Sequence, residues 1–244
     1  MAIKIRDLVE GVADFIRNRE SSTEPINVDV MLDRLNGLPS GGNTSIEDGL
    51  IENTLTEYTN SRIKTVGSYA FAYKTLTSVN LENVIEIKSN AFYNSTTINT
   101  VNTKNVITIG ESAFAGCSAL IKTYFPKVET IGNRIFWNGR NVKSILLGNA
   151  KSIGSMFLLA ATNCNMLVLC GNQVCTLAGS LEGSFNADGK YIYVKRELIT
   201  EYEIATNWSV YANQFRAIED YLEDIIAVFP DFRTDFPQFF EEVA

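Results

Sequence analysis

One phrase returns along this chain at a near-constant interval. Val66-Gly-Ser-Tyr-Ala-Phe71 is echoed by Ile87-Lys-Ser-Asn-Ala-Phe92, Ile109-Gly-Glu-Ser-Ala-Phe114, Ile131-Gly-Asn-Arg-Ile-Phe136 and Ile153-Gly-Ser-Met-Phe157, with the phenylalanines 21, 22, 22 and 21 residues apart. A second column, Leu76, Ile98, Leu120, Val142 and Cys164, holds a spacing of 22 throughout. Three and five residues after each of these stand Val79/Leu81, Val101/Thr103, Thr123/Phe125, Ile145/Leu147 and Leu167/Leu169. Self-similarity at a period of about 20–29 residues is the signature of a solenoid, in which each unit buries its apolar face only against its neighbours. A fold with one unique centre does not produce such a pattern.

Each unit has a local physical reading. The apolar pair at i and i+2, as in Ser78-Val-Asn-Leu81 or Ser144-Ile-Leu-Leu147, alternates with period two and predicts a short half-buried strand. Val84, Val106, Val128 and Ala150 form a further apolar column, and the Ile-Gly step after it is expected to make a tight turn in which glycine relieves the backbone. The phenylalanine then fills the coil. Burying one ring contributes roughly 2–3 kcal/mol against an ordering cost of about 1–2 kcal/mol per residue, so a single coil cannot stay folded and a stack can.

The fullest copy of the phrase, Ile109-Gly-Glu-Ser-Ala-Phe-Ala-Gly-Cys-Ser-Ala-Leu120, resembles the BspA-like leucine-rich repeat, and the resemblance extends over roughly residues 55–194. It implies an α/β repeat fold: a curved parallel-stranded solenoid, here of about five coils of some 22 residues, used for adhesion and molecular recognition and without catalysis of its own. The fifth unit departs from the pattern. Leu158-Leu-Ala-Ala-Thr-Asn-Cys164 reads as one residue longer and lacks the usual leucine, which marks it as the approach to a C-terminal cap.

Four segments follow from this. Residues 1–42 carry Ile5, Leu8, Val12, Phe15 and Ile16 at helical spacing, a break at Ser21-Ser-Thr-Glu-Pro25, a second short helix near Val28–Leu35 and a Gly/Pro/Ser hinge, Gly37-Leu-Pro-Ser-Gly-Gly-Asn43. Two such helices are marginal alone, so they either pack on each other or on the first coil, or form an oligomerising or attachment module. The joining pattern, with Thr23-Glu-Pro-Ile-Asn27 ahead of the hinge, is similar to tail proteins of phages and prophages of gut bacteria. Residues 43–194 hold the solenoid, with Leu50–Tyr58 shielding its first coil. Residues 195–216 supply a capping helix through Leu198, Tyr202, Ala205 and Trp208, after a last strand at Tyr191-Ile-Tyr-Val194. Residues 217–244 contain eight acids against Arg233 alone, a net charge of −7 that equals that of the whole chain.

Interleaved with those acids are Phe229, Phe232, Phe236, Phe239 and Phe240, which a merely solvated tail has no use for. The segment is expected to dock into a groove, on its own chain, on a sister chain or on a basic partner. The strand positions that point away from the core are Asn80, Asn102, Tyr124, Leu146 and Val168, with Lys122 and Met166 in the neighbouring column. The apolar end of this face either meets a partner or lies under the C-terminal segment. Trp137, with Arg140 nearby, is a second candidate contact on the loop side, and packing against an adjacent coil explains the ring equally well.

Several functions are disfavoured. The chain has no histidine, the commonest general base and metal ligand. Cys117, Cys164, Cys170 and Cys175 lack zinc-site spacing and read as buried thiols, with a Cys170–Cys175 bridge left open. No calcium loop or Gly-Lys-Ser/Thr phosphate loop occurs, no cofactor is implied, and the acidic balance argues against nucleic acid. Charges through the first ten residues leave no room for a signal peptide, and no apolar run is long enough for membrane insertion. The sequence therefore points to a non-enzymatic recognition and assembly protein, a homo-oligomer or part of a larger particle, that binds a protein or glycan on a host cell surface. Its place is a virion tail after cytoplasmic synthesis or, alternatively, the cell surface as a secreted adhesin whose export signal was removed.

Overall fold

The alternating apolar positions form strands twice in each coil. The computed structural model describes residues 45–46, 55–181, 185 and 187–241, so the stripe of Ile5, Leu8, Val12, Phe15 and Ile16 and the hinge after it lie outside the described residues. With all strands numbered in chain order, one column consists of two-residue strands: β1 (Ser45–Ile46), β3 (Thr65–Val66), β5 (Glu86–Ile87), β7 (Thr108–Ile109), β9 (Thr130–Ile131), β11 (Ser152–Ile153) and β13 (Thr176–Leu177). The other holds β2 (Glu57–Thr59), β4 (Ser78–Asn80) and β6 (Thr100–Asn102), then β8 (Lys122–Phe125), β10 (Ser144–Leu147), β12 (Met166–Leu169), β14 (Tyr191–Val194) and β15 (Phe215–Ala217). All pairings are parallel and join equivalent repeat positions, for example Lys122, Ser144 and Met166. The stack is a solenoid of about seven turns, longer than the five coils counted in the sequence, because the flanking turns keep the strand geometry after losing the repeated phrase.

Between the columns runs a ladder of rings. Phe71, Phe92 and Phe114 are fully buried, with centroids 4.9 Å apart and planes within 7° of parallel, a spacing set by the parallel-strand pitch of about 4.8 Å. The ladder changes at the fifth unit. Backbone bonds join Phe92 N to Ala113 O, Phe114 N to Ile135 O and Phe136 N to Phe157 O, so Phe157 occupies the alanine position and Leu158 the phenylalanine position. The coil has not gained a residue, as the spacing of phenylalanines suggested; its aromatic has moved one place forward, and the Phe136–Phe157 pair is accordingly edge-on at 75°.

The glycines after isoleucine have a different cause from the one expected. Gly110, Gly132 and Gly154 do not adopt positive φ. A Cβ there would lie 2.4–2.6 Å from the backbone of the preceding coil, so close stacking, and not turn strain, excludes a side chain. Left-handed backbone occurs instead in two columns further along each turn, at Tyr69, Asn90, Ser112, Arg134 and Met156 and at Tyr73, Asn94, Gly116, Asn138 and Ala160.

The second strand column is interrupted between β6 and β8, which leaves a three-stranded and a five-stranded sheet. At this seam Thr103 and Thr123 take core positions that hold valine, isoleucine, leucine or phenylalanine in the other coils. Both are buried, 1% and 6% exposed, and their hydroxyls have no hydrogen-bond partner among the described residues.

At the C-terminal end, Tyr191–Val194 is not the last strand, since β15 pairs in parallel with it. The helix expected through Leu198–Trp208 stops early. The helix α1 (Ile199–Ile204) ends at Ala205, whose backbone is extended, and the chain re-enters as a 3-10 segment, Ser209–Gln214. This bend turns aromatic tips onto the last coil: Trp208 Nε1 donates to Cys175 O at 2.7 Å, the Tyr202 hydroxyl accepts from Cys175 N at 3.1 Å, and the Tyr211 hydroxyl accepts from Leu181 N at 2.7 Å. With Asn207 Nδ2 on Leu177 O, these side chains meet backbone groups that a further coil would have paired. Two short helices follow, α2 (Leu222–Val228) and α3 (Phe232–Asp235).

Candidate recognition surface

The outward strand face divides at the seam. On the first coils it is polar: Asn80 and Asn102 are half-buried and joined by an Asn102 Nδ2 to Asn80 Oδ1 bond of 2.9 Å, an amide rung across neighbouring strands. On the later coils it is covered. Ile218, Ile225, Phe229, Phe232, Phe236 and Phe239 are buried against Leu146, Val168, Cys170 and Tyr193, with Tyr124, Met166 and Phe240 packed at the margin. Of the two readings of Leu146 and Val168, contact with a partner or cover by the C-terminal segment, the structure has the second: both are fully buried beneath the chain's own C-terminal strap.

Polar contacts fix where the strap ends. Lys122 Nζ donates to Val228 O at 3.0 Å, the Tyr124 hydroxyl donates to Asp235 Oδ2 at 2.6 Å, and Lys104 Nζ lies 2.7 Å from Asp231 Oδ2. Burial, and then the Asp235 carboxylate, hold the Tyr124 phenol well above its ordinary range, so it stays a donor. The hydrogen bond to Asp231 raises Lys104. Being half exposed, the Lys104 pair contributes at most about 1 kcal/mol and positions the strap more than it holds it. The acids near its start are used locally, Asp220 on the Arg196 guanidinium and Glu219 on the Arg196 backbone N–H, and Arg233 stacks on Phe240 at 4.2 Å.

The turn side of the stack is uncovered among the described residues. A shallow trough there is lined by Tyr69, Tyr73, Tyr93, Trp137 and Met156, with Asn90, Glu111, Ser112 and Arg134 between them. Tyr69, Tyr73, Trp137 and Met156 are 44%, 63%, 39% and 36% exposed. In the turn column that supplies two of its rings the chain reads Tyr93, Ala115, Trp137, a small residue between two large ones. Arg134 Nη1 meets Glu111 Oε1 at 2.9 Å, so the lining carries no net charge. Trp137 therefore belongs to this trough, whereas Arg140 lies outside it, exposed, with its Nε bonded to Asn138 Oδ1 at 2.9 Å. The tyrosines were missed in the sequence, because Tyr69, Tyr73 and Tyr93 stand in three different repeat columns and none of them recurs.

No group of three or more His, Cys, Asp or Glu able to hold a metal occurs among the described residues, and no described helix is long and apolar enough to cross a membrane. The four cysteines are buried and unpaired with one another; burial pushes the thiols of Cys117, Cys164 and Cys175 up to about 12.

A family model described as the BspA type leucine rich repeat region matches residues 44–172 in six copies, more than half of the chain. The chain belongs to this family. Among solved structures, the BspA-type solenoid is similar to a leucine rich repeat protein of T. pallidum at 20% identity and a TM-score of 0.50, over 64% of this chain and 74% of that one. It also matches a leucine rich cell surface protein of Faecalibacterium prausnitzii (19%, TM-score 0.43, 53% of this chain and 34% of that one). The pneumococcal vaccine antigen PcpA matches at 16% identity and a TM-score of 0.39, over 67% and 54% of the two chains. At these identities the T. pallidum likeness supports the fold alone. A search of curated proteins finds no match. In the BspA-type frame, the buried phenylalanine and isoleucine columns are scaffold.

Proposed function

We propose that this protein is a non-enzymatic recognition protein that contacts a cell-surface ligand through the outward side chains of its repeats. The observation that carries this reading is the exposure of large rings on the turns, at Tyr69, Tyr73 and Trp137, while the apolar strand face is already occupied by the strap. An apolar patch left open on a repeat surface marks a contact, because solenoids bind through the variable positions between their core columns. The polar rung of Asn80 and Asn102, on the strand face, offers a second, hydrogen-bonding surface.

The setting that fits the N-terminal words is a phage or prophage tail, with Ile5, Leu8, Val12, Phe15 and Ile16 forming an oligomerising or mounting stripe. A cell-surface adhesin is the other reading, and the recognition role is common to both. The test is saturable binding of the fluorescently labelled full-length chain to intact cells of gut bacteria and of epithelial lines. Binding that saturates and is displaced by unlabelled protein supports the proposal, and linear, non-displaceable uptake on every cell type overturns it. Light scattering then addresses the setting: a defined oligomer that Leu8→Asp with Phe15→Asp dissociates supports mounting, and a monomer at all concentrations removes it.

A further inference from the structure

Resting on that reading, we propose that the turn-side trough between Tyr73/Tyr93 and Trp137 is a binding site for a neutral, extended, β-linked glycan. Backbone conformation supplies the first argument. Tyr69, Tyr73, Arg134 and Met156 sit at φ of 56–60°, where bulky L-residues are strained and glycine is not, as Gly116 illustrates in the Tyr73 column. Strain of this kind is usually offset by burial. Here hydrogen bonds between stacked coils impose the conformation in every turn, and at Tyr69, Tyr73, Arg134 and Met156 the side chains it carries are large and exposed where glycine or asparagine would be easier.

The chemistry of the lining selects the ligand class. A peptide adding as a strand needs open backbone groups, but the turn N–H groups of Phe71, Tyr73, Phe92, Asn94, Phe114, Gly116, Phe136 and Asn138 already bond to the next coil. Recognition must therefore use side chains. The rings offer apolar faces, with Tyr73 and Tyr93 centroids 5.6 Å apart at one end and Trp137 two coils away at the other. Coil pitch is about 4.8 Å, close to the advance of one sugar along an extended β-linked chain, so successive sugars come into register with successive coils. Between the rings, Asn90, Ser112, Glu111 and Arg134 present amide, hydroxyl, carboxylate and guanidinium groups suited to vicinal hydroxyls. The paired Glu111 and Arg134 cancel each other's charge, which fits a neutral glycan and not an acidic or basic one. The trough is open and shallow, which suits a chain passing through rather than an enclosed end group.

The test uses the full-length protein with chitohexaose, cellohexaose and β-1,4-mannohexaose, all extended chains, as probes. Trp137 is exposed and the only other tryptophan, Trp208, is fully buried, so a Trp208→Phe background reports on the trough alone by fluorescence. At least one probe is expected to shift Trp137 emission saturably, and Trp137→Ala, in which that reporter is gone, to weaken binding by tenfold or more when the same probe is followed by isothermal titration calorimetry. Tyr73→Gly provides the fold control: it relaxes a strained position, so its melting temperature should hold or rise while binding falls by a similar factor. No saturable shift with any of the three probes at millimolar concentration overturns the proposal, as does binding retained within twofold in both variants. If those variants keep wild-type binding to cells, the glycan site is wrong and the recognition role stands. If the wild-type chain binds no cell, the broader reading fails first.

Discussion

Replacing Thr103 and Thr123 by valine is expected to stabilise this protein, although both changes remove a polar group and neither adds a contact. The two hydroxyls sit inside the solenoid at the seam between β6 and β8, 1% and 6% exposed, with no partner among the described residues. A buried hydroxyl that has given up water without gaining a bond costs about 1–3 kcal/mol, and valine keeps nearly the same shape. Allowing for local relaxation, each single change should raise the unfolding free energy by about 1 kcal/mol and the pair by about 2 kcal/mol. For a chain of this size each kcal/mol corresponds to about 2–4 °C in midpoint. Urea titration monitored by circular dichroism reads the free energy, with an unchanged slope, and a thermal melt reads the midpoint. Thr130→Val, in an exposed position of the short-strand column, is the control and should fall within about 0.5 kcal/mol of wild type. A loss of stability in either seam variant at constant slope would refute the reasoning, because it would mean that the hydroxyl is satisfied, for instance by a bound water.

Two further outcomes follow from the strap and the thiols. Phe232→Ala removes a fully buried ring from the centre of the strap cluster and should cost about 3–5 kcal/mol of docking; cleavage by chymotrypsin within residues 218–240 should accelerate while the solenoid's far-ultraviolet signal persists, and a global loss of that signal would show that strap and coils fold as one unit. The four buried thiols should resist iodoacetamide until the chain unfolds, labelling in the native state being the contrary result. Because burial raises Cys117, Cys164 and Cys175 to about 12 from an unfolded value of about 8.5, their contribution is full below that lower value and lost as pH climbs toward the folded one. Under reducing conditions the midpoint should therefore fall from pH 9 to 11, and Cys117→Ala with Cys164→Ala should flatten that fall.

What could be read in advance, and what could not, divides along a physical line. Phe71, Phe92, Phe114 and Phe136 announced themselves because a solenoid repeats the same burial environment every coil, so one-dimensional spacing carries three-dimensional position. Counting rings failed at Phe157, where backbone phase and side-chain identity part company and Leu158 takes the ring's place. Gly110 and Gly132 were visible as glycines, but a close approach and a left-handed turn leave the same letter, and only the distance to the preceding coil separates them. Strand β15 was hidden because Phe215-Arg-Ala217 has no repeated neighbour; it is a strand only because β14 offers it an edge. The strap's aromatics were conspicuous, yet nothing local decides whether such a segment docks on its own chain. The trough was missed because its rings, Tyr69, Tyr73, Tyr93 and Trp137, come from three different repeat columns that only stacking brings together.

The cap has a consequence for how such an array can change length. Trp208, Tyr202, Tyr211 and Asn207 occupy the hydrogen-bonding groups of the last turn, so no coil can be added beyond them without discarding the cap. The strap, in turn, grips residues on β8, β10, β12 and β14 at once, and a coil inserted among these would pull its contacts out of register by a full pitch. Duplication upstream of the seam disturbs neither. The protein is thus extensible on one side only: its C-terminal half behaves as a fixed terminus, while the Asn80–Asn102 side can lengthen coil by coil, changing the reach and repertoire of the surface without renegotiating how the chain ends.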